Sequence, residues 1–384
     1  MRIYYPANIR FPMERANALQ IVRTCHALAR RGHVVHLAVR GGKGTPEEAL
    51  AFYGLQPHEN LRLHRLPALD TQFSDLLWNR SFDVLALLQA VRLCGPEGIR
   101  VVFLRDLGLA RIFLKLRKLL GIKVVVEVHQ IAHRAQKEAL YGQAADPGKL
   151  ARLEKRERQV YAAADALIPL TPGIAEGSRE IGAGGVRTEI VPDAADVDAF
   201  AGPEPGGPLT VGYVGQLYPW KGADVLVEAL ALAPSWRGLI VGGMPQEPAD
   251  AERLRAKDRS GRVEFRPFVP PREVPAIYRR MHATALSLPD TLMGRLYTSP
   301  LKLFEAMAAG CAVVASDLPT IREIVTHERT ALLVPPGDPK ALAAALERLA
   351  AEPSLRRSLA AAAREEVRKY SWDERARRIE ALLA

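Results

Sequence analysis

Short apolar runs rich in Val, Ile and Leu alternate along this chain with longer stretches of helical spacing. That rhythm predicts parallel sheets wrapped by helices, an α/β architecture. In the first half the predicted strands are Arg2–Tyr5, His33–Val39, Leu61–Leu66, Val101–Arg105, Lys123–Val128, Ala166–Leu170 and Thr188–Val191. A helix over Met13–Arg31 carries Leu19, Val22, Ala27 and Leu28 on one face and stops at Gly32. Residues 202–208, Gly-Pro-Glu-Pro-Gly-Gly-Pro, then string turn signals together as a linker. Beyond them the rhythm restarts with strands at Leu209–Val214, Gly238–Val241, Val263–Phe268, Ala283–Leu288, Ala312–Ser316 and Ala331–Val334. These runs lack clear alternation, as expected of strands covered on both faces. Helical stretches near Pro339–Ala351, Ser354–Tyr370 and Trp372–Leu383 close the chain. The expected domains are therefore residues 1–201 and 209–370, with a last helix at 371–384.

With 384 residues, 48% apolar and 25% charged, the sequence fits two ordinary soluble domains. Three cysteines without a Cys-x-x-Cys pair, and no nearby histidine cluster, argue against a disulfide framework or a zinc site. The N-terminus has no signal-peptide character and no apolar run is long enough to span a bilayer, so a cytoplasmic setting is expected. The net charge is +10, and residues 1–200 hold 28 Lys/Arg against 21 Asp/Glu. No basic patch interleaves with aromatics, which argues against nucleic acid. The basic amphipathic stretch 108–121 fits either a helix covering a sheet or one resting on an anionic membrane, a peripheral contact at its inner face.

The chemistry concentrates in residues 297–317, Tyr-Thr-Ser-Pro-Leu-Lys-Leu-Phe-Glu-Ala-Met-Ala-Ala-Gly-Cys-Ala-Val-Val-Ala-Ser-Asp. The first half reads as a loop turning into a helix with Pro300 at the first helical position, the second as a strand. Free N–H groups of Leu301 and its neighbours at a helix start attract phosphate. Ser299 adds a hydroxyl, Lys302 a cation, and Glu305, one turn on, a carboxylate for ribose hydroxyls. Diphosphate and ribose together describe a nucleotide. Earlier, residues 211–222, Val-Gly-Tyr-Val-Gly-Gln-Leu-Tyr-Pro-Trp-Lys-Gly, follow a strand and open a helix. Glycines such as Gly215 let backbone approach an anion, and Lys221 offers a compact charge. His129 and Arg105 each end a predicted strand, where side chains reach ligands.

The 297–317 segment closely resembles the nucleotide-sugar site of the retaining GT-B glycosyltransferases of family 4, "glycosyl transferases group 1". The resemblance implies a GT-B fold, two Rossmann-like domains facing each other across a cleft, with the last helix crossing back to the first domain. A plain terminal helix of the second domain is the alternative for that helix. It further implies a retaining, metal-independent hexosyl transfer without cofactor, from a nucleotide-diphosphate sugar (UDP favoured, GDP next) to a sugar, lipid-linked or small-molecule acceptor. By resemblance, Lys221, Lys302 and the N–H groups following Ser299, from Leu301 onward past Pro300, steady the leaving diphosphate. Gln216 stands where the family has an arginine, Phe268 and Val269 where relatives cradle the base, His129 where a histidine meets the donor sugar, and Arg105 where relatives carry an arginine. Arg105 fits a loop salt bridge equally well, and His129 a structural histidine. Tyr297 replaces a glutamate common in the family. The first loop lacks the family's glycines and offers Asn8, Arg10 and Arg15 instead. Two other readings stay open: a non-catalytic or partner-dependent nucleotide-sugar binder, and a sugar-nucleotide epimerase on the same fold.

Overall fold

A computed structural model describes residues 1–42, 44–69, 75–138, 146–243 and 248–383. The chain divides into two compact units, one of Met1–Pro192 with Trp372–Ala384, the other of Asp193–Ser371. The division falls before the Gly/Pro-rich stretch taken for the linker. Residues 193–208 belong to the second unit because Ala195 and Phe200 are buried in its core, and the Ala195 N–H donates to Tyr370 O at 3.0 Å.

In the first unit β1 (Arg2–Arg10), β2 (Val34–Arg40), β3 (Leu61–Leu66), β4 (Val101–Leu104), β5 (Lys123–Val128) and β6 (Ala166–Pro169) form a parallel sheet ordered β3-β2-β1-β4-β5-β6. Thr188–Val191 is not a strand. It contributes one isolated bridge, Leu167 to Thr188; the Glu189 and Val191 N–H groups donate to Leu167 O at 3.2 Å and Pro169 O at 2.9 Å, but Pro169 has no N–H to complete the ladder. Strand β1 runs five residues beyond its expected end, so Asn8 and Arg10 lie in it rather than in a loop. Helix α1 (Ala16–Arg30) accordingly starts later than predicted. The chain crosses over β1→β2→β3 one way and β4→β5→β6 the other, so right-handed crossovers place α2 (Asp75–Leu93), α3 (Leu107–Leu120) and α4 (Pro147–Ala163) on the face opposite α1.

The second unit repeats this winding. Strands β7 (Thr210–Gly215), β8 (Arg237–Gly242), β9 (Val263–Arg266), β10 (Ala283–Leu286), β11 (Ala312–Ser316) and β12 (Leu332–Val334) are ordered β12-β11-β10-β7-β8-β9. Its helices include α5 (Ala223–Leu232), α6 (Leu301–Ala309), α7 (Pro339–Ala351) and α8 (Pro353–Glu366). Two apolar clusters fill the faces of the sheet, one around Leu303, Phe304 and Met307 of α6, the other around Leu226 and Leu230 of α5. In each sheet the winding direction reverses once, at β1/β4 and at β7/β10. The carboxyl ends of strands at such a reversal are where open α/β sheets hold ligands. Helix α9 (Trp372–Leu383) belongs to the first unit and packs on α1. No described helix is long and apolar enough to cross a membrane.

Candidate functional site

Strand β7 ends at Gly215, whose φ of +140° suits only glycine. The loop after it is closed by the Tyr213 hydroxyl, which donates to Gln216 O at 2.6 Å. A short turn, Pro219–Lys221, follows, and the Lys221 N–H donates to Tyr218 O at 2.8 Å. Gly222 has φ +81°, and a Cβ there would stand 1.8 Å from Ser287 O beyond β10. Glycine thus lets the loop lie against the neighbouring strand end and fixes Lys221 beside it. The Lys221 side chain makes no ion pair or hydrogen bond among the described residues, and burial pulls its pKa down.

The second component is the start of α6. Pro300, expected as the first helical residue, is instead the capping residue, because its ψ of 111° is extended, and α6 starts one position later at Leu301. Leu303 N–H donates to Pro300 O at 2.8 Å, which leaves the N–H groups of Leu301 and Lys302 without an acceptor among the described residues. The Ser299 hydroxyl accepts the Asp193 N–H at 2.9 Å, so it anchors its loop as well as offering a donor. Lys302 carries its ammonium 3.7 Å from the centre of the Tyr213 ring. An ideal Cβ on Gly215 would be 3.6 Å from Lys302 Nζ, so the ammonium sits at the strand end. Burial, and next the like charge of Lys221, hold the Lys302 pKa well below the usual lysine range, with Glu305 pulling the other way. Two neighbouring ammonium groups are therefore held half-desolvated. Glu305 lies beside the Tyr278 hydroxyl, whose pKa is raised by burial and then by this carboxylate. That hydroxyl is also 3.3 Å from Lys302 O.

Phe268 and Val269 are half-buried just past β9, Val269 packing on the α6 core cluster. Tyr297 is only 3% exposed, so it fills the interior where the family's glutamate would carry charge. Sequence reasoning passed over Tyr213, although strand alternation puts it on the same face as Gly215.

In the first unit, His129 follows β5 and is one-fifth exposed, with Nε2 3.1 Å from Glu127 Oε2. That contact is at ion-pair range but off the hydrogen-bonding direction. The neighbouring Glu127 is a buried hub. It accepts hydrogen bonds from Arg375 Nη2, from Gln20 Nε2 at 2.7 Å and from the Tyr5 hydroxyl at 3.4 Å. Burial alone would raise its carboxyl, but Arg375, then His129 and Arg105, bring it down to about 2. His129 is pushed down to about 4, by burial first and then by Arg105, against the pull of Glu127. The imidazole is neutral at neutral pH, able to exchange hydrogen bonds with a hydroxyl. Arg105 forms no salt bridge among the described residues, and its buried Nη1 has no hydrogen-bond partner there. The loop after β5 is fixed by Glu157 of α4, whose carboxylate accepts from the N–H groups of Ala132 (2.5 Å) and His133 (3.2 Å) and meets His133 Nδ1 at 2.6 Å.

The same unit holds a cavity of about 620 Å³ between α2 and α3, lined among others by Asn8, Arg80, Asp83, Arg111, Lys115 and Arg156. Asn8 is fixed there: its Nδ2 donates to Asn79 Oδ1 at 2.8 Å and its Oδ1 accepts from Arg40. Arg10 and Arg15 are not among its lining residues; Arg10 stacks over Trp78, and Arg15 stands at the N-cap position of α1 without a side-chain cap bond. Asp83 has its pKa raised by burial and then by Asp106. Among the described residues no group of three or more His, Cys, Asp or Glu could hold a metal ion.

Residues 208–352 match the family model "Glycosyl transferases group 1", and residues 18–194 match "Glycosyl transferase 4-like domain". Over 181 residues the chain is 34% identical to a protein of Jonesia denitrificans named D-inositol 3-phosphate glycosyltransferase, covering 45% of this chain and 42% of that one. A protein of the same name from Xylanimonas cellulosilytica is 33% identical over 243 residues, 57% of each chain. The chain thus spans about half the length of the curated relatives it matches. Among solved structures, sucrose-phosphate synthase from Thermosynechococcus elongatus aligns with TM-score 0.78 at 21% identity, covering 99% of this chain and 98% of that one. Anabaena HepE, described in complex with UDP-glucose, aligns with TM-score 0.73 at 16% identity over 100% and 99% of the two chains. Two doubly wound sheets of the GT-B kind and two consecutive family matches agree: the chain carries a glycosyl transferase 4-like domain followed by a glycosyl transferases group 1 domain, on a GT-B fold.

Proposed function

We propose that this protein transfers a hexose from a UDP-sugar to an acceptor hydroxyl with retention at the anomeric carbon. The observation that carries the reading is the pair Lys221 and Lys302, two half-desolvated ammonium groups beside the open N–H groups of α6. An anion placed there relieves their repulsion and fills the vacant donors. A diphosphate fits, and Glu305 one turn on suits ribose hydroxyls. With two lysines and a helix start to neutralise the diphosphate, transfer is expected to proceed without a divalent cation. The UDP preference draws support from the HepE complex, described with UDP-glucose.

In the proposed step the acceptor oxygen forms a bond to the anomeric carbon on the face from which the diphosphate departs. The bond from that carbon to the phosphate oxygen breaks, its electron pair goes to the diphosphate, and the acceptor proton passes to a departing phosphate oxygen. Lys221, Lys302 and the N–H groups of Leu301 and Lys302 stabilise that growing charge, commonly worth several kcal/mol per well-placed donor. Neutral His129 and Arg105, whose buried Nη1 has no hydrogen-bond partner among the described residues, are assigned to the sugar or its phosphate. A double displacement through an enzyme carboxylate is disfavoured at His129, because the adjacent Glu127 is taken up by Arg375, Gln20 and Tyr5. For the acceptor, the cavity between α2 and α3 pairs carboxylate and amide groups for hydroxyls with arginines for an anionic substituent. This favours a charged polyol, in keeping with the inositol phosphate in the relatives' names.

The test is thermal stabilisation by UDP, GDP, ADP and their sugars, with and without EDTA, followed by anomeric analysis of the product by NMR. An EDTA-insensitive shift with UDP-sugars and a product of retained configuration are expected. A nucleotide shift without transfer to any charged polyol or sugar would leave a binding protein. Release of free sugar with C2 inverted would make it an epimerase.

A further inference from the structure

A surface helix needs one apolar face, but α2 has two. Phe82, Ala86 and Ala90 point inward and are fully buried, whereas Leu77, Val84, Leu88 and Val91 are 50–57% exposed on the opposite side. Spacings of seven, four and three residues put these four on a single stripe. Leu69 extends it at 58% exposure, its N–H donating to Ser81 Oγ of α2 at 3.1 Å. Leu119, on neighbouring α3, is 82% exposed. Six of the eight large exposed hydrophobic side chains among the described residues therefore lie on one helical layer.

The same layer is cationic. Helices α2, α3 and α4 pack side by side on one sheet face. Arg92, Arg111, Lys115, Lys118, Lys149 and Lys155 are exposed on them, and none makes an ion pair among the described residues. Of the carboxylates nearby, Asp83 faces the cavity between α2 and α3, and three others are already occupied. Asp106 and Asp146 cap the starts of α3 and α4, and Glu154 pairs with Arg158 at 2.9 Å. An apolar stripe rimmed by unpaired cations matches a surface with an apolar interior and an anionic skin. Nucleic acid would answer the charge and not the stripe.

We infer that the α2–α3–α4 face of the first unit docks on an anionic lipid bilayer, with the α2 stripe entering the headgroup region and the basic side chains of α3 and α4 on the lipid phosphates. The surface stands on this helical layer alone and does not depend on the transfer reading, since vesicle binding and sugar transfer are read in separate assays. The cavity between α2 and α3 lies in the same layer, so an acceptor held there is one the membrane can deliver.

The experiment is co-sedimentation of the full chain with phosphatidylcholine vesicles, with and without phosphatidylglycerol. Selective partitioning onto the anionic vesicles, weakened by salt, is expected. Lys118→Glu and Lys155→Glu should each lower it roughly fivefold or more. Val84→Asp and Leu88→Asp, also at exposed positions, should lower it while leaving the unfolding midpoint unchanged. Equal binding to neutral vesicles, no binding to either, or undiminished binding by the α2 variants would overturn the inference. So would gel filtration showing a dimer that Leu88→Asp disperses with vesicle binding intact, which would make the stripe a contact between copies.

Discussion

Replacing Arg375 by methionine tests what holds α9 to the first unit. The residue is 2% exposed, and its guanidinium donates to Glu127, to Val191 O at 2.7 Å, to Pro192 O at 2.6 Å and to Thr24 Oγ1 at 3.2 Å. Arg375→Met leaves the Glu127 carboxylate buried without the cation that chiefly keeps it ionised. Removing one partner of a buried pair costs about 3–5 kcal/mol. For a unit of roughly 200 residues each kcal/mol moves the midpoint by about 2–4 °C, so a fall of about 6–20 °C is expected in the transition of this unit. The double variant Arg375→Met/Glu127→Gln removes the stranded charge while still losing the carbonyl contacts, so it should recover part of the fall. Thermal unfolding followed by circular dichroism reads both. A double variant melting no higher than the single one would show that charge pairing is not what matters there, and the account of Glu127 as an electrostatic hub would be wrong.

Lys302→Ala should weaken binding of a nucleoside diphosphate about 30-fold or more, the scale for losing one partner of a buried charged contact, while folding persists; calorimetric titration checks it. Because that ammonium titrates below the lysine norm, raising pH should erode diphosphate affinity earlier than an ordinary lysine would, and binding near the midpoint should take up protons, measurable in buffers of different ionisation enthalpy. On acidification the first unit should lose stability between about pH 6.5 and 4. There the unfolded chain binds protons that buried His129 and His36, both pushed down to about 4, refuse; urea midpoints against pH would show it, with a shallower slope in His36→Gln. Gly215→Ala should impair diphosphate binding more than stability, since φ there is +140° and the new methyl would crowd Lys302; an unchanged affinity would refute the close approach.

Much of this was legible in the chain. Most strands announced themselves as apolar runs, and β11 coincides with its predicted bounds, because strands covered on both faces need unbroken Val/Ile/Ala stretches. Lys221, Lys302 and Glu305 could be read from local spacing because a loop and a helix start carry them together. What escaped was long-range. Arg375 meets Glu127 across 248 positions, and no local pattern ties a helix arginine to a strand carboxylate. Asn8 and Arg10, expected in a loop, extend β1: Arg10 pairs with Arg40 of β2, and Asn8 lies in the bulge between Ala7 and Arg10, a long-range pairing that local propensity does not show. Tyr213 was hidden by its role, since a strand tyrosine reads as core until a lysine is found lying on its ring.

The lysine pair has a consequence for turnover. On the proposed reading, the sugar leaves and its phosphate oxygen becomes a terminal one, so the nucleotide gains about one negative charge near neutral pH. Two ammonium groups that repel each other when empty then hold the spent nucleotide more tightly than the donor it came from. Such a site traps its own product, and the slow step moves from bond making to release. The rate in a living cell would be governed by whatever enzyme destroys the free nucleoside diphosphate as much as by the supply of sugar donor.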